Sequence, residues 1–293
     1  MNLKLLHIFL LSTAGTFLLC TPFINTVELA NGLVTGKMCW FHLAMLFFSV
    51  CVFFVMLTKK GTVIAFTFSD PLVLFFAGGV LITYKWNLNP EPEKLIFAGQ
   101  LVILWFLLRY VLTAYREFKF FFLFVLMFTG LIEAVWGMQQ LHGYSHSNHS
   151  LFRLTGSFFN PGPYSGYIAV ILPVCLWTAL RFQKGMHYFA WICVGAILIV
   201  LPAGMSRSAW MAAVVACGWV YWTERIGWKK TKAVYIRYKN ATIPFIAIVA
   251  ILAGCTVMEI YELKRDSADG RLLMWKVTTK AIAGQPLAGT GLG

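Results

Sequence analysis

The chain has 293 residues, of which 59% are hydrophobic and 12% charged, and its mean hydropathy is +0.74. Soluble domains carry roughly 25% charged residues, so the composition excludes a soluble globular protein and defines an integral membrane one. The net charge of +13 is scattered between apolar runs rather than gathered on one soluble face, which excludes a nucleic-acid-binding module and leaves a topology signal with some attraction to anionic lipid.

A spanning helix needs about 20 mostly apolar residues, and nine stretches approach that length: 5–24, 38–57, 64–84, 95–114, 118–140, 164–182, 186–203, 207–223 and 243–260. The first resembles a signal peptide but lacks a small-residue cleavage site and is followed at once by further spans, so it reads as a retained helix. Asp70-Pro71 interrupts the third. Proline has no N–H to donate and disfavours helix in the residue before it, so this span is expected to begin at Pro71 or to kink there. With the N-terminus in the cytoplasm, the inner connections hold 14 of the 24 Lys and Arg, the densest run being 225–239. The outer connections before the last tail hold Lys37, Lys85, Lys94, Arg153 and Arg207. That asymmetry follows the positive-inside rule. The expected fold is therefore all-α: a polytopic transmembrane bundle over residues 1–260, with a re-entrant or interfacial segment on its outer face, and the beginning of a periplasmic loop over 261–293.

All seven cysteines fall in apolar spans and none forms a Cys-x-x-Cys pair, so they read as small hydrophobes. Three histidines, His142, His146 and His149, crowd the outer loop after the fifth span. They could bind zinc, but no cysteine or acid joins them and Gly143 with the Ser and Asn residues favours a polar loop; one of them lining a substrate entrance is the functional alternative. No metal or cofactor is expected. Glu133 sits within the fifth span, with Gln139 and Gln140 two turns further out. Buried acids in membranes pair with a base or face a wet cavity, so a structural partnership with an arginine and direct substrate or proton chemistry both stay open. Phe158 and Phe159 are either lipid-facing anchors or part of a groove for a polyprenyl tail.

Three polar motifs lie at the outer boundary. The first is Arg153-Leu154-Thr155-Gly156-Ser157-Phe158-Phe159-Asn160-Pro161, in which Asn160 is expected to fix its own backbone before the sixth span. The second is Ser206-Arg207-Ser208 at the start of the eighth span, where backbone donors and the positive helix end favour an anion. The third is Asp269-Gly270-Arg271 leading to Trp275, at the start of an expected amphipathic helix, followed by Gln285-Pro286-Leu287 and Gly289, Gly291 and Gly293. A guanidinium at membrane depth is costly unless it has a partner or a task. Its planar fork of donors matches phosphate oxygens two at a time, so Arg153, Arg207 and Arg271 point to a lipid-phosphate substrate, against the bland alternative of snorkelling to headgroups or pairing with an acid.

Taken in order, these motifs resemble the O-antigen ligase family, which shares its core with O-antigen polymerases and protein O-oligosaccharyltransferases. The resemblance covers residues from about 95 onward; the first three spans match only as generic membrane helices. It implies a metal-independent glycosyltransferase of the bacterial inner membrane, serving lipopolysaccharide biosynthesis. Such an enzyme moves a glycan from undecaprenyl diphosphate to an acceptor such as lipid A–core at the periplasmic face. On this resemblance Arg153, Arg207 and Arg271 hold the donor diphosphate, with Asn160, Ser206 and Glu133 in support. The family's later periplasmic loop carries a histidine that activates the acceptor, and no residue up to Gly293 matches it. The general base is thus unassigned, and a chain truncated at its C-terminus and inactive alone is the expectation. Two alternatives are a polymerase of the same family and a transporter or flippase for a lipid-linked glycan, since arginines along a lumen would suit the latter as well.

Overall fold

The computed structural model describes residues 3–26, 31–59, 61–62, 64, 66–86, 91–227 and 265–284, with the backbone alone for Trp86, Arg116, residues 265–269 and Arg271. Among them there is helix and no strand. The helices are α1 (Leu3–Leu19), α2 (Gly32–Thr58), α3 (Ser69–Trp86), α4 (Pro92–Ala114), α5 (Arg116–Leu141), α6 (Pro161–Arg181), α7 (Gly185–Val200), α8 (Arg207–Tyr221) and α9 (Arg265–Gly284). A 3-10 turn, Pro202–Gly204, follows α7, and a π turn, Trp222–Ile226, follows α8. Eight of the nine expected spans correspond to α1 to α8, and the amphipathic helix expected near Asp269 corresponds to α9; the expected span at 243–260 lies outside the described residues. Five helices are long and apolar enough to cross a membrane: Gly32–Thr58, Pro92–Ala114, Glu117–Leu141, Pro161–Arg181 and Gly185–Gly204. α1 is apolar but 17 residues long, and α8 has 15.

The chain divides into two compact units, one of residues 1–65 and 103–226, the other of 66–102 and 227–293. In the second unit, α3 starts two residues ahead of Pro71 rather than at it. The buried Asp70 carboxylate explains the start: its Oδ2 accepts from the Thr67 N–H at 2.7 Å and the Thr67 hydroxyl at 3.1 Å. Pro71 then falls in the first helical turn, where a missing N–H costs nothing.

In the first unit α5 is shared by two cores. On one side it packs with α1, α2 and α4 through Leu11, Phe48, Val52, Val111 and Phe118. On the other it packs with α6, α7 and α8 through Met127, Tyr164, Ile168, Ile171 and Ile197. Without a hydrophobic force between helices in lipid, close approach depends on small residues. Gly130 supplies one such place, since a Cβ there would lie 2.8 Å from Ile171 Cγ2. The outward surface carries exposed Phe53, Leu57, Val170, Ile199 and Val214, as a lipid-facing surface requires. The described cysteines are free thiols, and Cys255 lies outside the described residues.

At the end formed by the start of α1 and of α5 and the close of α2, charged and polar groups tie three helices together. Lys4 pairs with Glu117 at 2.6 Å, and Lys59 donates to the Ala114 carbonyl. The buried His7 ring bonds Tyr115 Oη through Nδ1 at 2.5 Å and Thr58 Oγ1 through Nε2 at 2.8 Å. Thr58 donates its own hydroxyl hydrogen to the Phe54 carbonyl, so His7 Nε2–H is the donor to Thr58 and the tyrosine is the donor to Nδ1. Replacing His7 with Phe removes both bonds; at about 1 kcal/mol each, with the orphaned tyrosine and threonine adding to the loss, His7→Phe is expected to lower the thermal midpoint of the detergent-solubilised protein by several degrees, measured by the loss of monodisperse protein on heating.

Candidate functional site

The opposite end of the first unit gathers the segment between α5 and α6, the turn between α7 and α8, and the start of α2. Residues 142–160 are not helical, yet Leu154, Thr155, Gly156 and Ser157 are buried. A non-helical backbone inside an apolar bundle must find a partner for each N–H and C=O. The partners come from one face of α5, where Glu133 and Gln140 lie two turns apart and project the same way.

Gln140 is 3% exposed and uses its whole amide. Its Oε1 accepts from the N–H groups of Thr155 (2.9 Å) and Gly156 (2.7 Å), while Nε2 donates to the carbonyls of His146 (3.0 Å) and Gly156 (3.1 Å). Glu133 is fully buried; its Oε2 accepts from the Ser157 N–H at 3.1 Å and its backbone carbonyl from the Tyr164 hydroxyl at 3.2 Å. Asn148 adds a third support, donating from Nδ2 to the carbonyls of Gly156 and Phe158 at 3.2 and 3.0 Å. Asn160 caps α6, its Oδ1 accepting from the Gly162 N–H at 3.0 Å, as its position before Pro161 suggests.

Among the described residues Glu133 has no arginine as a hydrogen-bond or ion-pair partner. Lys37 Nζ donates to the Ile24 carbonyl at 2.7 Å and to the Ser157 carbonyl at 3.0 Å, with the Phe158 ring centroid 5.8 Å away. Phe158 packs inward against Tyr167, ring centroids 5.5 Å apart, whereas Phe159 is 45% exposed.

Arg153, directly ahead of the buried stretch, is exposed and has no hydrogen-bond or ion-pair partner among the described residues. It lines an open cavity of about 330 Å³ with Gln140, His142, Ser145, His146 and Ser147. No carboxylate lines that cavity. His149 turns away into the loop, its Nδ1 accepting from the Leu151 N–H at 3.0 Å. Among the described residues no group of three His, Cys, Asp or Glu side chains is placed to hold a metal ion.

Ser206 and Arg207 stand where a helix begins: Ser206 is the N-cap of α8 with its hydroxyl 3.3 Å from that of Ser208, and Arg207 is the first helical residue. The turn before them is seated on α6, with the Ser165 hydroxyl donating to the Gly204 carbonyl at 3.2 Å. Leu154 Cδ2 lies 4.0 Å from where a Cβ on Gly204 would stand, so the Arg153 and Arg207 segments share one end of one unit. Arg271 is on α9 in the other unit, with only its backbone described, and residues 285–293 of the third motif lie outside the described residues. Below Arg207, Leu172, Leu176, Trp191, Leu198, Trp210 and Val214 help line an apolar groove of about 460 Å³ between α6, α7 and α8.

Gln140 and Lys37 were not singled out by sequence reasoning. Gln140 carried a usable signal, a polar side chain seven residues from Glu133 and hence on its face of the helix. Lys37 carried only its place among the outer basic residues, because its partners lie 13 and 120 residues away.

An all-helical bundle with apolar outer faces and a polar, internally pinned cap defines a multi-pass membrane protein. Residues 192–293 match the family model described as O-Antigen ligase. The match takes in the Ser206-Arg207-Ser208 and Gly270–Gly291 motifs, while the Arg153 motif lies ahead of it. Comparison with curated proteins finds no match, and comparison with solved structures finds none.

Gly156 is the tightest point of the cap. Its φ is +55°, and a Cβ would stand 2.3 Å from Glu133 Oε2 and 2.4 Å from Tyr164 Cδ2. A left-handed non-glycine residue alone costs on the order of 1–3 kcal/mol, and here the neighbours are a pinned carboxylate and a buried ring. Gly156→Ala is therefore expected to cut the yield of monodisperse protein severely, whereas Gly166→Ala, with nothing within 4 Å, leaves it unchanged; size-exclusion profiles of the two variants check this.

Proposed function

We propose that this protein transfers a glycan from undecaprenyl diphosphate to an acceptor such as lipid A–core at the periplasmic face of the bacterial inner membrane, with Arg153, Arg207 and Arg271 on the donor diphosphate. The observation that carries the reading is Arg153: a guanidinium without a partner among the described residues, over a polar cavity free of carboxylates, two residues ahead of a stretch, Thr155 to Ser157, held by buried hydrogen bonds. A diphosphate needs such a site twice over. It must be bound as an anion in a membrane boundary, and it must be stabilised as it leaves, because negative charge grows on it while the bond from the sugar carbon breaks and a bond to the acceptor oxygen forms. Arg207 at the N-terminus of α8 adds the positive end of a helix to its own charge. The apolar groove beside α8 offers a place for a prenyl chain whose headgroup sits at that helix start. Asn160 supports by capping the first turn of α6, Ser206 by standing beside Arg207 at the start of α8, and Glu133 by holding the cap. The acceptor's proton requires a base, which none of the described side chains is assigned.

In the full-length protein, Arg153→Ala and Arg271→Ala are each expected to lower transfer by about 100-fold with the amount of protein in the membrane unchanged. Arg→Lys should restore only part, because a point charge does not replace the two-pronged fork. The assay is glycan attached to acceptor in a deletion strain carrying each variant; full transfer in both alanine variants overturns the proposal. In the deletion strain itself, lipid-linked glycan should accumulate on the outer leaflet, and accumulation on the inner leaflet would identify a flippase instead.

A further inference from the structure

We propose that His142 is a second phosphate ligand in the Arg153 cavity and serves only as an imidazolium, so that the anion held there binds together with one proton. That the anion is a diphosphate rests on the function proposed above; the proton linkage rests on the geometry of the ring. Of the polar side chains in the cavity wall, Gln140 donates its amide hydrogens to the carbonyls of His146 and Gly156, and Ser147 its hydroxyl hydrogen to that of Phe152. Open among the described residues are the Arg153 guanidinium, the His146 ring, the Ser145 hydroxyl and Nε2 of His142. The Ser145 Oγ is buried without a hydrogen-bond partner among the described residues, a costly state unless an acceptor reaches it. A wall of donors around a guanidinium, with no carboxylate in it, suits an anion rich in acceptor oxygens.

His142 is the C-cap of α5, and its Nδ1 stands 2.9 Å from the Met138 carbonyl oxygen. A carbonyl only accepts, so Nδ1 carries the hydrogen and Nε2 of the neutral ring carries none. A bare Nε2 turns a lone pair on a phosphate oxygen and repels it. A diphosphate esterified at both ends has no P–OH hydrogen to share at neutral pH, so a proton must pass from solvent to Nε2 before the ring can donate. The cation so formed stands at the negative end of a helix, where positive charge is favoured. The Tyr144 ring lies nearly parallel to it, at 16° with centroids 6.4 Å apart. His146 differs: Gln140 holds its carbonyl, but nothing among the described residues fixes its ring, so its neutral form can turn an N–H to the anion. The titratable and charged groups that line the cavity with His142 are Arg153 and His146.

The test is calorimetric binding of farnesyl-diphospho-glucose to the detergent-solubilised full-length protein. This probe is esterified at both ends and does not itself titrate between about pH 5.5 and about pH 8, the range over which imidazole changes charge. Because the protonated ring is the one that binds, the Kd is expected to rise with pH, by about tenfold across that range, the scale of losing one hydrogen bond to a charged group. Buffers of different ionisation enthalpy should report proton uptake on binding. His142→Gln keeps a neutral donor but no charge; it is expected to bind about tenfold more weakly than the parent at the lower pH and to change by less than about twofold with pH. His146→Gln should keep most of the pH dependence. Absence of binding at both pH values, pH dependence that survives His142→Gln, or its disappearance in His146→Gln alone overturns the proposal. Loss of transfer in His142→Gln with unchanged probe binding would mean that Nε2 accepts a proton in the reaction, and overturns the ligand role. Binding that is independent of pH yet abolished by Arg153→Ala overturns the proton linkage and keeps the diphosphate reading. Proton-linked binding alongside full transfer by Arg153→Ala keeps this site and removes the glycan-transfer reading.

Discussion

The cap between α5 and α6 depends on one constraint: four residues of non-helical backbone are buried among apolar helices, so their amides cannot turn to water. Each N–H and C=O left without a partner there would cost several kcal/mol. Gln140 meets the demand with a side chain that imitates a peptide, accepting from two N–H groups and donating to two carbonyls. Glu133 and Lys37 serve Ser157, and Asn148 reaches the Phe158 carbonyl while sharing that of Gly156 with Gln140. Because the polar cost is met from rigid helices, the exposed residue at the edge of the stretch inherits their rigidity. A loop arginine is thereby held almost as firmly as one on a helix.

The same end of the bundle shows how position decides what a cation does. Lys37 and Arg153 are both basic residues at this end of the first unit. Lys37 is turned inward and donates to two carbonyls, whereas Arg153 opens on a cavity without acids. Arg207 stands at a helix start, where the backbone adds to its field. Three cations on one membrane boundary thus hold three different relations to an incoming anion, and net charge alone describes none of them.

Helices were readable from the chain because lipid demands long apolar runs, and the runs that form α2, α4, α5, α6 and α7 leave no other reading. Boundaries were readable where a polar residue had a local task, as with Asn160 ahead of Pro161. At Asp70 the same kind of task was missed: the carboxylate reaches back to Thr67 and starts the helix two residues before the proline that seemed to mark its beginning. Glu133 was visible as an acid in an apolar run, but its partner, the Ser157 N–H 24 residues on, was not, since that contact is set by how the connecting segment folds back and not by spacing. The arginine motifs advertised phosphate chemistry, while Thr155, Gly156 and Ser157 inside the first motif turned out to be occupied with holding the backbone.

The cap is also a statement about where the boundaries of a working unit lie. The family match begins at residue 192, yet Ser157 is tied to Pro22, Lys37 and Glu133, and Leu154 and Ser165 meet the turn at Gly204. A designer who wished to move this anion-facing arginine into another membrane bundle would have to carry the contiguous block from Pro22 to Gly204, because every shorter excerpt severs at least one of these ties.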